Sequence, residues 1–283
     1  MKNPRAFLSV TGGARGLGLE MMRALAEAGA SVACVDMLLD EGQTSTEAIH
    51  KEFGVKVTNW KCDVRIPAEV TEVFGKIAKE HGSIDICVTS AGIAHIAPAE
   101  DYKAEDWKNV LDINLHGTFF CSGQVSIHPL QPSAICSTSF SQLFIVLPPS
   151  SSRHMLAQGK GGNIILIASI CGQIVAQPQP QAAYQASKGA VIMLAKQLAG
   201  EWAQHGIRVN SMSPGYIETA LTHGFLNSVE NGAEIKETWE RLTPLKRMGQ
   251  PSEIKAAVVY LASGASSYVT GSNLVLDGGY TVW

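Results

Sequence analysis

The chain has no basic block, no CxxC pair and no apolar run approaching the roughly 18 residues a membrane helix needs. A net charge of −3 over 283 residues, without clustered Lys or Arg, argues against a nucleic-acid surface. Six cysteines, at 34, 62, 87, 121, 136 and 171, are scattered and mostly sit in apolar stretches. That pattern predicts buried free thiols in a reducing compartment rather than disulfides or a metal site. Strand-like residues begin at Ala6, which leaves no room for a signal peptide. The expectation is a cytoplasmic chain with neither membrane nor nucleic-acid partners. Charged residues are few, at 17%, and apolar residues make up 46%, a globular composition with ample material for a core.

What the chain does have is rhythm. Short β-rich runs (Ala6–Val10, Ser31–Val35, Lys56–Cys62, Ile84–Thr89, Asn163–Ala168, Ile207–Met212, Asn273–Leu276) alternate with helical ones. Helices are predicted over Leu17–Ala28, Gly42–Phe53, Ala68–His81, Ala104–Phe120 and Ala183–Gln204. The run NIILIA has no polar alternation, as expected of a strand buried on both faces. Strands alternating with helices of this length predict an α/β domain, a parallel sheet covered on both sides.

One stretch breaks the rhythm. Residues 125–151 carry four prolines, many serines and no charged residue, with neither helical nor strand period. So long a structureless segment is unusual inside a compact domain. It is expected to be a poorly ordered insert: a surface excursion, a loop that alters assembly, or translated intron.

The motif TGGARGLG, residues 11–18, joins the first strand to the first helix. Glycines there let backbone N–H groups approach a pyrophosphate, which the helix N-terminus then stabilises. Gly12, Gly16 and Gly18 give a TGxxxGxG spacing, which alone is a weak signal because such glycines are often only structural. The second strand leads to Asp36, about 20 residues on, where a carboxylate can accept from the adenosine ribose hydroxyls. It would repel a 2′-phosphate and so favours NAD(H). Arg15 is the counter-signal for NADP(H), because a guanidinium there can receive that phosphate.

In YQASKGA, Tyr184 and Lys188 are four residues apart and share one helix face. A free phenol, with a pKa of about 10, is a poor acid–base group near neutrality, and a fixed ammonium favours its phenolate. Ser169 closes the run NIILIAS, where its hydroxyl can meet a substrate oxygen. Asn114 lies within a predicted helix, an unfavoured place for Asn, which suggests that its amide serves a partner such as a relay water.

Taken together, TGGARGLG, CDV (62–64), SAG (90–92), Asn114, Ser169, the YxxxK pair, SPG (213–215) and LDGG (276–279) resemble the short-chain dehydrogenase/reductase family. The resemblance covers nearly the whole chain except 125–151. It implies a single-domain, doubly wound Rossmann fold and an NAD(P)-dependent oxidoreductase interconverting a secondary alcohol and a ketone. By position, Tyr184 is the general acid/base. Lys188 lowers its pKa and binds the nicotinamide ribose, Ser169 polarises the substrate oxygen, and Asn114 holds a relay water. For the coenzyme, the resemblance implies Gly12, Arg15, Gly16, Leu17 and Gly18 at the phosphates and Asp36 at the ribose. Asp63 and Val64 border the adenine, and Ser90, Ala91 and Gly92 line the middle. Pro214, Gly215, Ile217 and Thr219 sit against the nicotinamide. SAG stands where the family commonly has NAG.

The family also implies a homodimer or homotetramer. Its pocket walls come from 170–182 and from the stretch after Thr219, where Leu221, Phe225, Leu226 and Val229 predict one apolar helical side, a candidate lid. His223 reads as a surface histidine. The ending DGGYTVW is similar to fungal polyol and ketose reductases, sorbose or mannitol types. A secondary-metabolite ketone is the competing substrate class. A catalytically inactive dinucleotide-binding or scaffold protein of the same fold is the alternative function.

Overall fold

The computed structural model describes residues 6–122 and 151–283. Seven strands form one sheet: β1 (Phe7–Thr11), β2 (Ser31–Asp36), β3 (Val57–Lys61), β4 (Ile86–Thr89), β5 (Gly162–Ile167), β6 (Ile207–Pro214) and β7 (Asn273–Leu276). Their order is β3-β2-β1-β4-β5-β6-β7, and every neighbouring pair is parallel. The chain therefore winds outward from β1 in one direction, then crosses to β4 and winds in the other. The winding reverses between β1 and β4, and the crevice where ligands of such sheets bind lies beyond the carboxyl ends of those two strands.

The helices are α1 (Gly16–Glu27), α2 (Leu39–Phe53), α3 (Pro67–His81), α4 (Ala104–Leu111), α5 (Thr118–Ser122), α6 (Ser151–Gln158), α7 (Ala182–Trp202), α8 (Ala220–Ser228), α9 (Gly232–Leu242) and α10 (Lys255–Ala262). Alternate residues of β1 explain the two layers: Phe7 faces a core with Phe74, Ile77 and Trp202, while Leu8 and Val10 face another with Met21, Leu25 and Val258. Burying each such side chain contributes about 1.5–3 kcal/mol before the entropy of ordering it. Gly54 (φ 68°) and Gly82 (φ 81°) end α2 and α3 in the left-handed conformation, as C-terminal glycines do.

Element boundaries fall within a few residues of the sequence expectation, with two informative departures. The helix predicted over Ala104–Phe120 is interrupted by a π-turn, Asp112–Gly117, which carries Asn114. Gly117 there packs so closely that an added Cβ would lie 2.7 Å from Val64 Cγ2. The apolar stretch after Thr219 forms two helices rather than one face, leaving Leu221 62% exposed while Leu226 packs with Trp239. The expected disorder of 125–151 lies outside the described residues, except that Ser151 opens α6. The five described cysteines are free and buried, and Cys136 lies outside the description. No described helix is long and apolar enough to cross a membrane.

Candidate active site

The glycine turn leaves β1 at Thr11 and enters α1 at Gly16. Gly12 (φ 66°) passes so near the β4 loop that a Cβ would sit 2.8 Å from Ala91 Cα. At Gly18 a Cβ would be 2.0 Å from Gly12 O. Only glycine fits at either place. The first turn of α1 has no side-chain cap and no acidic residue, so its N–H groups are left for an anion. Leu17 is half-buried beneath this turn, packed on the α1 side of the core. A backbone cradle beside an uncapped helix N-terminus fits a dinucleotide pyrophosphate.

Asp36, at the end of β2, is half-buried and already hydrogen-bonded: its Oδ2 accepts from Ala14 N at 3.1 Å and its Oδ1 from Leu38 N at 3.0 Å. Arg15 is exposed and faces Glu41 at 4.0 Å. Asp63 takes a bidentate fork from Arg65, Nε donating to Oδ1 at 2.9 Å and Nη2 to Oδ2 at 2.6 Å, which holds its carboxyl below the usual range. Val64 beside it is buried.

Across the crevice, the SAG loop is tied to β1 by Thr11, a residue whose role no motif gives. Thr11 Oγ1 accepts from Ser90 N at 3.1 Å and from Ala91 N at 3.2 Å. Its only sequence signal was its place at the head of the glycine motif. Gly92 is exposed, and a Cβ there would meet Asn114 Oδ1 at 3.4 Å and Lys188 Nζ at 3.5 Å. The SAG loop and the two polar side chains thus converge on one spot.

Asn114 is fully buried. Its Oδ1 accepts from Ile93 N at 2.9 Å, and its Nδ2 donates to Ile93 O at 2.9 Å and to Ser187 Oγ at 3.1 Å. Both amide protons are used, and Oδ1 keeps one lone pair. Lys188, 4% exposed, donates from Nζ to Ile167 O at 2.8 Å, and burial pulls its pKa down to about 8. Its Nζ lies 5.6 Å from the centroid of the Tyr184 ring. Tyr184 neighbours Ser169, whose hydroxyl favours its phenolate, and Ser169 Oγ accepts from Cys171 N at 3.2 Å.

The sequence expectation that Lys188 lowers the phenol is not what this arrangement gives. Burial raises the Tyr184 pKa, Cys171 adds to the rise, and the Ser169 hydrogen bond offsets only part of it. The ammonium gives one of its three donors to Ile167 O and is itself partly neutral near pH 8.

Close glycine contacts again set the geometry. A Cβ on Gly172 would lie 2.6 Å from Lys188 C, so the turn after Ser169 rests directly on α7.

The two stretches expected to wall the pocket are joined. Gln179, buried in the first, donates to Tyr216 Oη at 3.0 Å and accepts from Trp239 Nε1 at 3.1 Å. Tyr216 stacks on Trp239 with centroids 4.1 Å apart. Gln181 is also buried, its Nε2 3.3 Å from Cys171 Sγ beside Ser169. Pro214 ends β6 and Gly215 follows it, and a Cβ on Gly215 would be 2.8 Å from Asp277 Cα. Ile217 and Thr219 are buried, and Thr219 caps α8. His223 is exposed.

Residues 7–134 match the family profile described as "short chain dehydrogenase", and residues 150–281 match "Enoyl-(Acyl carrier protein) reductase". The chain is 37% identical over 287 residues to a ribulose-forming D-arabinitol 2-dehydrogenase of Scheffersomyces stipitis, covering 97% of this chain and 93% of that protein. It is 34% identical to an NADP-dependent mannitol dehydrogenase of Hypocrea jecorina, covering 96% and 91%. A solved short-chain type dehydrogenase/reductase from Mycobacterium marinum matches with a TM-score of 0.83 at 36% identity, covering 98% and 95%. The chain belongs to the short-chain dehydrogenase/reductase family, NAD(P)-dependent oxidoreductases that interconvert secondary alcohols and ketones.

Proposed function

We propose that this chain interconverts a polyol and its ketose, with Tyr184 as general acid/base and NAD(H) as preferred coenzyme. One observation carries the reading: half-buried Tyr184 beside Ser169, with buried Lys188 Nζ 5.6 Å from its ring centroid, next to a cradle that only glycine can line. The coenzyme supplies or takes up the hydride. Ser169 orients the substrate oxygen, and Tyr184, held protonated by burial, donates its proton to that oxygen in reduction. Lys188 returns charge to the site and reaches the coenzyme beside Gly92. The free lone pair of Asn114 Oδ1 holds a relay water. Gly12, Arg15, Gly16, Leu17 and Gly18 hold the phosphates, Asp36 the ribose, and Asp63 and Val64 the adenine end. Ser90, Ala91, Gly92, Pro214, Gly215, Ile217 and Thr219 line the rest.

The polyol assignment draws on the named relatives, an arabinitol and a mannitol dehydrogenase. The preference for NAD(H) draws on Asp36 and on Glu41, which engages Arg15; the NADP-dependent mannitol relative is the counterweight.

The test is Tyr184→Phe, assayed with arabinitol and mannitol and their ketoses and titrated with NADH and NADPH. Turnover should fall by about 10²–10⁴-fold while NADH affinity stays within about threefold. Unchanged turnover refutes the role of Tyr184. No turnover by the parent enzyme on any of these pairs refutes the polyol assignment, and tighter NADPH binding refutes the preference.

A further inference from the structure

Ala14, 2% exposed, lies at the centre of the glycine loop, and two side chains grip it from outside the motif. Its N–H donates to Asp36 Oδ2 at 3.1 Å, and its carbonyl accepts from Ser45 Oγ at 2.8 Å. Ser45 is half-buried on α2, 31 residues further along the chain. Asp36 is fixed in turn by Leu38 N on Oδ1 at 3.0 Å.

We propose that Ser45 is a positioning residue for the coenzyme loop. With Asp36 it clamps Ala14 on both sides, so the loop is held in its binding shape before any dinucleotide arrives. A carboxylate has about four lone-pair sites. Two are taken by backbone N–H groups, which aims the remaining ones outward for ribose hydroxyls. The loop needs such help: Gly12 and Gly16 both stand at positive φ, and glycines lose the most conformational freedom on ordering. A ligand that must also order its loop binds more weakly. This inference rests on the reading above that the loop holds a dinucleotide.

The experiment pairs two readouts on Ser45→Ala and Ser45→Thr. The first is limited trypsin digestion of the coenzyme-free protein, following the bond after Arg15, which is exposed in the loop. The second is fluorescence titration with NADH and NADPH, alongside kcat at saturating coenzyme. Ser45→Ala should speed cleavage at Arg15 and weaken both coenzymes alike by about three- to tenfold, the range for one hydrogen bond. The effect should appear in the coenzyme KM, with kcat within about twofold of the parent. Ser45→Thr, which keeps the hydroxyl, should restore both.

Unaltered cleavage and affinity in Ser45→Ala overturns the proposal. So does a Thr variant as weak as the Ala variant, or faster cleavage at every site rather than at Arg15. If the parent protein binds neither coenzyme, the functional reading fails, while the digestion still decides the clamp.

Discussion

The two sides of the sheet hold their parts of the site by different means. From β1 to β3 the cradle is made of backbone: close glycine contacts, an uncapped helix N-terminus and a carboxylate fixed by N–H groups. From β4 to β7 it is made of side chains, Asn114, Ser169, Tyr184 and Lys188, each buried or half-buried, with Asn114, Ser169 and Lys188 hydrogen-bonded. The first side should be sensitive to an added methyl group, and the second to a lost polar atom. Binding and chemistry are therefore separable by mutation.

Asn114→Ala should cause the largest change among folded variants. It strips the Ile93 N–H and C=O of their partners and leaves the π-turn without its anchor. Denaturant titration should show a loss of about 2–3 kcal/mol. Turnover should fall with it, while NADH affinity should change less than in a glycine-loop variant. If affinity falls more than turnover, the two sides are not independent.

Gly18→Ala attacks the other side. The new Cβ would meet the Gly12 carbonyl, which is backbone and cannot rotate away. Overpacking of this kind costs about 1–3 kcal/mol, about five- to hundredfold in coenzyme Kd by titration. At saturating coenzyme, kcat should recover. A variant with parental NADH affinity would show that the cradle is looser than the geometry indicates.

This division also explains what the sequence could tell. Tyr184, Lys188, Ser169 and the glycines announce themselves because their chemistry depends on spacing within one element or on a strand–helix turn. Asn114 was visible as an awkward residue in a helix, although the π-turn that accommodates it was not. Ser45 and the Gln179–Tyr216–Trp239 group were silent, and Thr11 was marked only by its place at the head of the glycine motif. Each works through partners 31 to 80 residues away, and such contacts leave no periodicity. The electrostatics were the least legible: the i, i+4 spacing put Lys188 beside Tyr184 but could not reveal that burial would govern both groups.

The smallest effect concerns acid, and it separates the two sides without mutation of either site. His81, at the end of α3, stacks on Phe7 with centroids 3.7 Å apart, and its Nε2 lies 3.2 Å from Thr58 Oγ1. Its side chain is 3% exposed, with Glu80 at 3.7 Å and Lys56, paired to Glu80, nearby. Burial, with Lys56, lowers its pKa from 6.5 to about 4. The folded protein thus keeps His81 neutral, while the unfolded chain takes up a proton below about 6.5. Stability is full above that pH and is lost progressively below it, by about 2 kcal/mol at pH 5. Phe7, Thr58 and His81 belong to β1, β3 and α3, so the coenzyme side should loosen first. Amide exchange at pH 5 against pH 7 should rise in β1 and β3 more than in β5 and β6, and His81→Phe should remove the difference. An equal rise on both sides would mean that the sheet opens as one unit, and that the contrast between its two sides is one of chemistry alone.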